Sequence, residues 1–362
     1  MQSRTGWNRN PSRQGFYPAL LRLEDAMILY DPHIPVSLME FGIQIPMRDS
    51  RATRTLAALQ DDPLLGPLQS RWHRDRIEER LSREDLLRVH AADYVDRLYS
   101  PALQDEIIAT YELIDACGRY HRYTPETATR PLSDLFDRIL IKAAASVQCA
   151  RLALAHGFCF SFTGGAHHAQ RHFGKGFCLL NDIVIAVRKL QSEKAIGTVW
   201  IIDVDAHKGD GTAALTADDP SIRTLSIHMA RGWPLDGPEV LADGSPNPSF
   251  VPSDIDIPVE SGEEALYVER LGLGLQQLEG LGPADLAMVV CGVDPYEKDE
   301  LPSTAGLALN LDQMLARDRL VYNFLKERRM PAAYLMAGGY GDQVWQVYAR
   351  FLAWALRERL ME

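Results

Sequence analysis

The segment Thr198–Val204 is apolar almost without interruption and rich in β-branched residues. A strand covered on both faces has this pattern, because neither side-chain direction meets water. Similar short runs occupy Phe158–Phe162, Ile222–Ile227, Leu286–Cys291 and Ala332–Met336. Between and around them, apolar residues recur at helical spacing in Leu135–Ala155, Asp182–Gln191, Glu263–Leu278, Leu311–Arg328 and Gln343–Arg357. Strands alternating with helices predict an α/β fold, with a mainly parallel central sheet and helices on both faces. No internal repeat or low-complexity linker breaks the alternation. Residues 26–362 are therefore expected to form a single domain. Residues 1–25 read as an N-terminal arm: Arg4, Arg9, Arg13 and Arg22 come with Pro11 and Pro18, and no apolar stretch of a secretory signal is present.

Composition narrows the function. The chain has 362 residues, 46% of them hydrophobic, which is enough for a large core. Its net charge of -11 argues against nucleic acid as a partner, since phosphates need a basic face. An acidic chain suits a cationic partner, such as a lysine-bearing peptide or a polyamine, although many enzymes are acidic for no such reason. Cys117, Cys149, Cys159, Cys178 and Cys291 are odd in number and form no Cys-x-x-Cys pair. A reducing, cytoplasmic setting is expected from them. No run of about 18 apolar residues occurs, so no membrane partner is expected.

In parallel sheets, ligands bind beyond the carboxyl ends of the strands. Five predicted strand ends carry polar residues: TGGAHH with His167 and His168; IIDVDAHKGDGT with Asp203, Asp205, His207 and Asp210; LSIH with Ser226 and His228; VVCGVDPYEKDE with Asp294; and YLMAGGYGD with Tyr340. In an extended segment, residues i and i+2 point the same way. Asp205 and His207 can then grip one ion, with Asp294 as a third ligand from another strand end. Three protein ligands and one open position make a catalytic zinc pattern, and two carboxylates with one imidazole also suit ferrous iron. Taken singly, Asp-x-His is more often a turn, and Asp294 before Pro295 could be a turn former.

TGGAHHAQRHFGKGFCLLND, IIDVDAHKGDGT, CGVDPYEKDEL and AGGY, in this order, resemble the histone deacetylase and acetylpolyamine amidohydrolase superfamily over roughly residues 26–358. The block RDRLVYNFLKERRMP before AGGY looks most like class IV deacetylases and their bacterial relatives. The resemblance implies the arginase-deacetylase fold and a zinc-dependent hydrolase of linear N-acyl amides. It places the zinc ligands on Asp205, His207 and Asp294. It makes His167 and His168 general base and general acid, oriented by Asp203 and Asp210, and gives the oxyanion to Tyr340. It implies a structural potassium ion held by Asp203, Ser226 and backbone carbonyls. The acyl channel falls on Gly176, Phe177, Trp233 and Leu301, with Gly338 and Gly339 letting the backbone approach. Arg48 falls on an arginine lining an inner exit cavity for the released acid. Substrates would be an acylated lysine peptide or protein, with acetyl or longer acyl groups, or an acylated polyamine or other small amide; an oligomer is possible.

Two features depart from the pattern. Lys208 stands where many relatives have a second histidine, and the family's rim aspartate has no counterpart assigned. Two other readings compete. A binuclear manganese ureohydrolase needs a carboxylate two residues after the histidine, where this chain has Gly209. A non-catalytic binding module would be expected to have lost Tyr340, a ligand or a histidine, and all are present.

Overall fold

A computed structural model describes residues 27–360. The expected arm at residues 1–25 lies outside the described residues. Eight strands form one sheet: β1 (Ile28–Leu29), β2 (His73–Arg74), β3 (Phe158–Ser161), β4 (Val199–Asp203), β5 (Ile222–Met229), β6 (Ile255–Val259), β7 (Leu286–Val290) and β8 (Ala332–Leu335). Their order is β2-β1-β3-β8-β7-β4-β5-β6, and every pairing is parallel. The principal helices are α1 (Ser50–Gln60), α2 (Leu135–His156), α3 (Asp182–Ser192), α4 (Asp210–Thr216), α5 (Tyr267–Gly280), α6 (Leu311–Glu327) and α7 (Trp345–Leu360).

The apolar runs are explained by burial on both sides. In β4, Trp200 and Ile202 join a core cluster that also holds residues of α5, α6 and α7. Val199 and Ile201 face the opposite cluster, under α2 and α3. β7 divides in the same way, with Ala287 and Val289 against Leu286, Met288 and Val290. Alternate side chains thus enter two cores, which is why the strands lack a polar face.

All five expected strands and all five expected helices are present, with ends shifted by a few residues. The helix expected from Glu263 begins as a 3-10 turn at Glu264–Leu266 and becomes α-helical at Tyr267. The sheet also gains β1, β2 and β6, which the periodicity did not predict. β1 and β2 have two residues each, too few to show a period. The most apolar helical stretch, Leu132–His156, is long enough to cross a membrane, but 56% of its apolar window is buried inside the molecule. Here α2 packs on α3, β3 and β8.

From β4 the chain moves outward to β5 and β6, then returns to β7 on the other side of β4. Such a reversal opens a crevice at the carboxyl ends of the adjacent strands. Asp205 follows β4 and Asp294 follows β7, so the reversal sets two of the expected ligands side by side.

Candidate metal centre

Asp205, His207 and Asp294 are all buried, and each offers a ligand atom within 4.8 Å of the others. His207 Nδ1 lies 3.2 Å from Asp294 Oδ2 and 3.4 Å from Asp205 Oδ1. Two carboxylates confined together repel. Burial, then the charge of Asp205, raises Asp294 to about 6. Burial opposes charge on His207, but Asp205 and Asp294 outweigh it and raise the imidazole to about 10. Asp294 Oδ2 is buried without a hydrogen bond among the described residues. The cradle is also shaped by missing side chains: a Cβ on Gly338 would stand 2.4 Å from Asp205 Oδ2 and 2.5 Å from Asp294 Oδ2. An acidic, partly unsatisfied cluster kept clear by glycine fits a divalent cation. It is the one cluster of its kind among the described residues.

Two histidine–carboxylate pairs adjoin it. His167 Nδ1 is 2.6 Å from Asp203 Oδ2, and His168 Nδ1 is 2.7 Å from Asp210 Oδ1. With Nδ1 engaged in each ring, Nε2 is the nitrogen left for chemistry; that of His167 lies 3.7 Å from Asp205. The two rings are unlike. Burial disfavours charge on His167, yet Asp203 and Asp205 raise it to about 9. Burial and the charge of His167 lower His168 to about 3 against the pull of Asp210. Asp210 also accepts from Lys175 Nζ at 2.9 Å and from Ser249 Oγ at 2.8 Å. The sequence reading passed over both donors.

Tyr340 lines the same cavity, as do Gly176, Phe177 and Gly338. An outer opening adds Trp233, Leu301, Ser303, Glu112 and Arg122. Phe177 adopts φ +65°, a conformation uncommon for a non-glycine residue, and its ring stacks on Tyr111 with centroids 6.2 Å apart. Trp233 stands edge-on to His168 at 4.5 Å. A Cβ on Gly176 would come within 2.3 Å of Trp233, so only glycine fits between the two walls. Gly339, at φ +143°, turns the chain toward Tyr340. Glu112, ion-paired with Arg122, is a carboxylate at the mouth that the motifs did not reveal.

Three supporting residues also escaped the sequence reading. Asp299 accepts from Tyr340 N at 2.7 Å and Leu301 N at 2.9 Å, tying the tyrosine loop to the rim. Burial and Asp294 push its carboxyl up to about 8. Arg317 donates to Val204 O at 3.0 Å and Gly292 O at 2.7 Å, bracing the strand ends that carry Asp205 and Asp294. Arg51 donates to Ala337 O at 2.9 Å, Gly339 O at 3.1 Å and Met336 O at 3.2 Å.

One expected position is corrected. Arg48 does not line the inner cavity; it turns outward and pairs with Glu300 at 3.0 Å and Asp342 at 2.9 Å, its side chain 46% exposed. Arg51, three residues on, faces inward and lines the cavity. The helix start at Ser50 separates their directions. Arg48→Ala is expected to change stability by less than about 1 kcal/mol, as exposed ion pairs do. Chemical denaturation measures this, and a larger loss would show that Arg48 does more than hold the surface.

Asp203 and Ser226 are register partners across β4 and β5. Their side-chain oxygens are already engaged. Asp203 takes His167 Nδ1 and Asp205 N, while Ser226 Oγ meets His228 Nδ1 at 3.1 Å and Gly209 N at 3.4 Å.

A comparison with protein-family models matches residues 45–356 to the histone deacetylase domain. The chain belongs to the histone deacetylase family. Its parallel sheet and flanking helices are the family's arginase-deacetylase fold. Among relatives, it is 24% identical over 318 residues to histone deacetylase 2 of Arabidopsis thaliana, covering 88% of this chain and 75% of that one. It is 26% identical over 321 residues to the acetoin utilization protein AcuC of Staphylococcus aureus, covering 87% and 76%. An uncharacterized protein of Picosynechococcus is 30% identical over 259 residues, covering 69% and 80%. Membership supports a deacetylase or amidohydrolase activity on acylated amines.

Proposed function

We propose that this chain hydrolyses the N-acyl amides of lysine-like amines with one divalent ion, zinc by preference or ferrous iron, held by Asp205, His207 and Asp294. The observation that carries this reading is the meeting of that cluster with both histidine–carboxylate pairs and Tyr340 around one cavity. When bound, the ion would polarise the amide carbonyl and make water a better nucleophile. The protein's own groups do the rest. His167 and His168 move the protons as general base and general acid, each through its Nε2. Asp203 and Asp210 fix the rings through Nδ1. Tyr340 donates to the oxyanion. Phe177 and Trp233 confine a methylene stem.

Gly209 supports one ion over two, because no carboxylate stands there to hold a second. For substrate we infer an acylated lysine peptide or an acylated polyamine.

The zinc-loaded protein, offered acetyl-lysine and long-chain acyl-lysine peptides and an acetylated polyamine, is expected to release free acid, and His168→Ala to release almost none. No release from any of them, with one zinc per chain confirmed, would sink the hydrolase reading.

A further inference from the structure

Three parts of the site meet at Lys175. Its backbone closes a two-residue turn: Lys175 N donates to Cys178 O at 3.0 Å, and Cys178 N donates to Lys175 O at 2.9 Å. The residues between them, Gly176 and Phe177, take φ +57° and +65°, as the centre of a primed hairpin turn requires. Both line the cavity and its outer opening. The side chain of Lys175 ends on Asp210, where Nζ lies 2.9 Å from Oδ2 and also donates to Ser249 Oγ. The same ammonium stands over the Trp233 ring, 5.1 Å from its centre. Asp210 is wholly enclosed, whereas Lys175 keeps 24% of its side chain exposed. Gln170 Nε2, at 3.3 Å, and Ser249 Oγ bring no charge to Asp210; Lys175 brings a full one. Burial opposes charge on Asp210, but His168 and Lys175 hold its carboxyl well below the usual carboxylate range. The other pair is built differently: among the described residues, no lysine or arginine pairs with Asp203.

A carboxylate withdrawn from water is costly unless a cation accompanies it. The two oxygens of a carboxylate are also one rigid unit. An ammonium that fixes Oδ2 therefore fixes the direction of Oδ1, and Oδ1 holds Nδ1 of His168 at 2.7 Å. The direction of Oδ1 in turn sets where Nε2 of that ring points. We propose that Lys175 is a positioning residue, whose ammonium locks the Asp210 carboxylate and through it aims His168 into the channel between Phe177 and Trp233. Its catalytic consequence rests on the proposed hydrolase reading; the locking of the ring does not. Charge-assisted bonds are stronger and more directional than the neutral ones from Gln170 and Ser249, so those two donors cannot hold the carboxylate as tightly alone. The backbone of Lys175 shapes the turn whatever its side chain is, so the two roles can be separated by substitution.

The test compares wild type with Lys175→Met, which keeps the stem and removes the charge, and Lys175→Arg, which keeps the charge. The first readout is NMR of histidine-labelled protein stripped of metal, following the Nδ1 protons that His168 and His167 share with their aspartates. In Lys175→Met the His168 signal is expected to shift or broaden while that of His167 stays in place; in Lys175→Arg both stay near wild type. The second readout is turnover of an acetyl-lysine peptide by the zinc-loaded protein. Lys175→Met is expected to lower kcat by about tenfold to a hundredfold with KM changed less than about threefold, and Lys175→Arg to recover most of the loss. An unmoved His168 signal in Lys175→Met would overturn the proposal. So would equal movement of both histidine signals, which marks a general loosening of the fold, or an Lys175→Arg protein as impaired as Lys175→Met. A wild type that cleaves no amide removes the hydrolase reading alone, and the His168 signal then decides by itself whether Lys175 holds the ring.

Discussion

Tyr340→Phe is expected to lower kcat by about 100- to 1000-fold while leaving KM and zinc content near wild type. The phenol is buried and lines both the inner cavity and its outer opening. Burial, then the charges of Asp294 and Asp205, hold its pKa well above the usual tyrosine value. It therefore stays protonated, and a donor, across the working pH range. No hydrogen bond from its hydroxyl to protein is found among the described residues, so phenylalanine breaks nothing in the resting fold. A donor used only when negative charge develops on the carbonyl oxygen affects the transition state and spares substrate binding. Steady-state kinetics on an acyl-lysine substrate, beside a metal assay, decide the point. A raised KM at unchanged kcat would make Tyr340 a binding residue and remove the oxyanion assignment.

The second large effect is on stability. Arg317 is fully buried, and Asp318 nearly so. The guanidinium donates Nε to Asp318 Oδ1 at 2.8 Å while holding Val204 O and Gly292 O. Arg317→Ala would strand the Asp318 carboxylate and orphan two carbonyls next to the ligand loops. Breaking a buried pair from one side costs about 3–5 kcal/mol. Denaturant unfolding should show a loss of that size, accompanied by weaker zinc retention. Replacing both partners, Arg317→Met with Asp318→Leu, should recover part of the loss, since no charge is then stranded; the two carbonyls keep the recovery incomplete. A loss below about 1 kcal/mol for Arg317→Ala would show that solvent or relaxation compensates the pair.

Some of this molecule is written locally. Uninterrupted apolar runs marked five strands because a sheet buried on both faces leaves no polar period to read. Asp205 and His207 were legible because i and i+2 share a direction in extended chain. Their meeting with His167, His168, Asp294 and Tyr340 could be expected because parallel strands deliver their ends to one edge. The resemblance of four motifs placed each of these residues, and the structure brings all of them to one cavity.

What the sequence left open depends on directions that only packing sets. Arg48 and Arg51 stand three residues apart, and the start of α1 sends the first to solvent and the second under the Tyr340 loop. Lys142 lies on a helix with no motif, and only the stacking of α2 against the sheet aims it into the cavity. Arg317 braces strand ends 113 and 25 residues away along the chain, contacts to which no local pattern can point. The short strands β1 and β2 form because their neighbours supply hydrogen-bond partners, at two residues each too short to declare themselves. The sequence by itself determined which chemistry this chain can carry, through residue types at fixed local spacing. The tertiary structure decided which charges face that chemistry from behind, because a helix shows its neighbours one side only, and packing chooses the side.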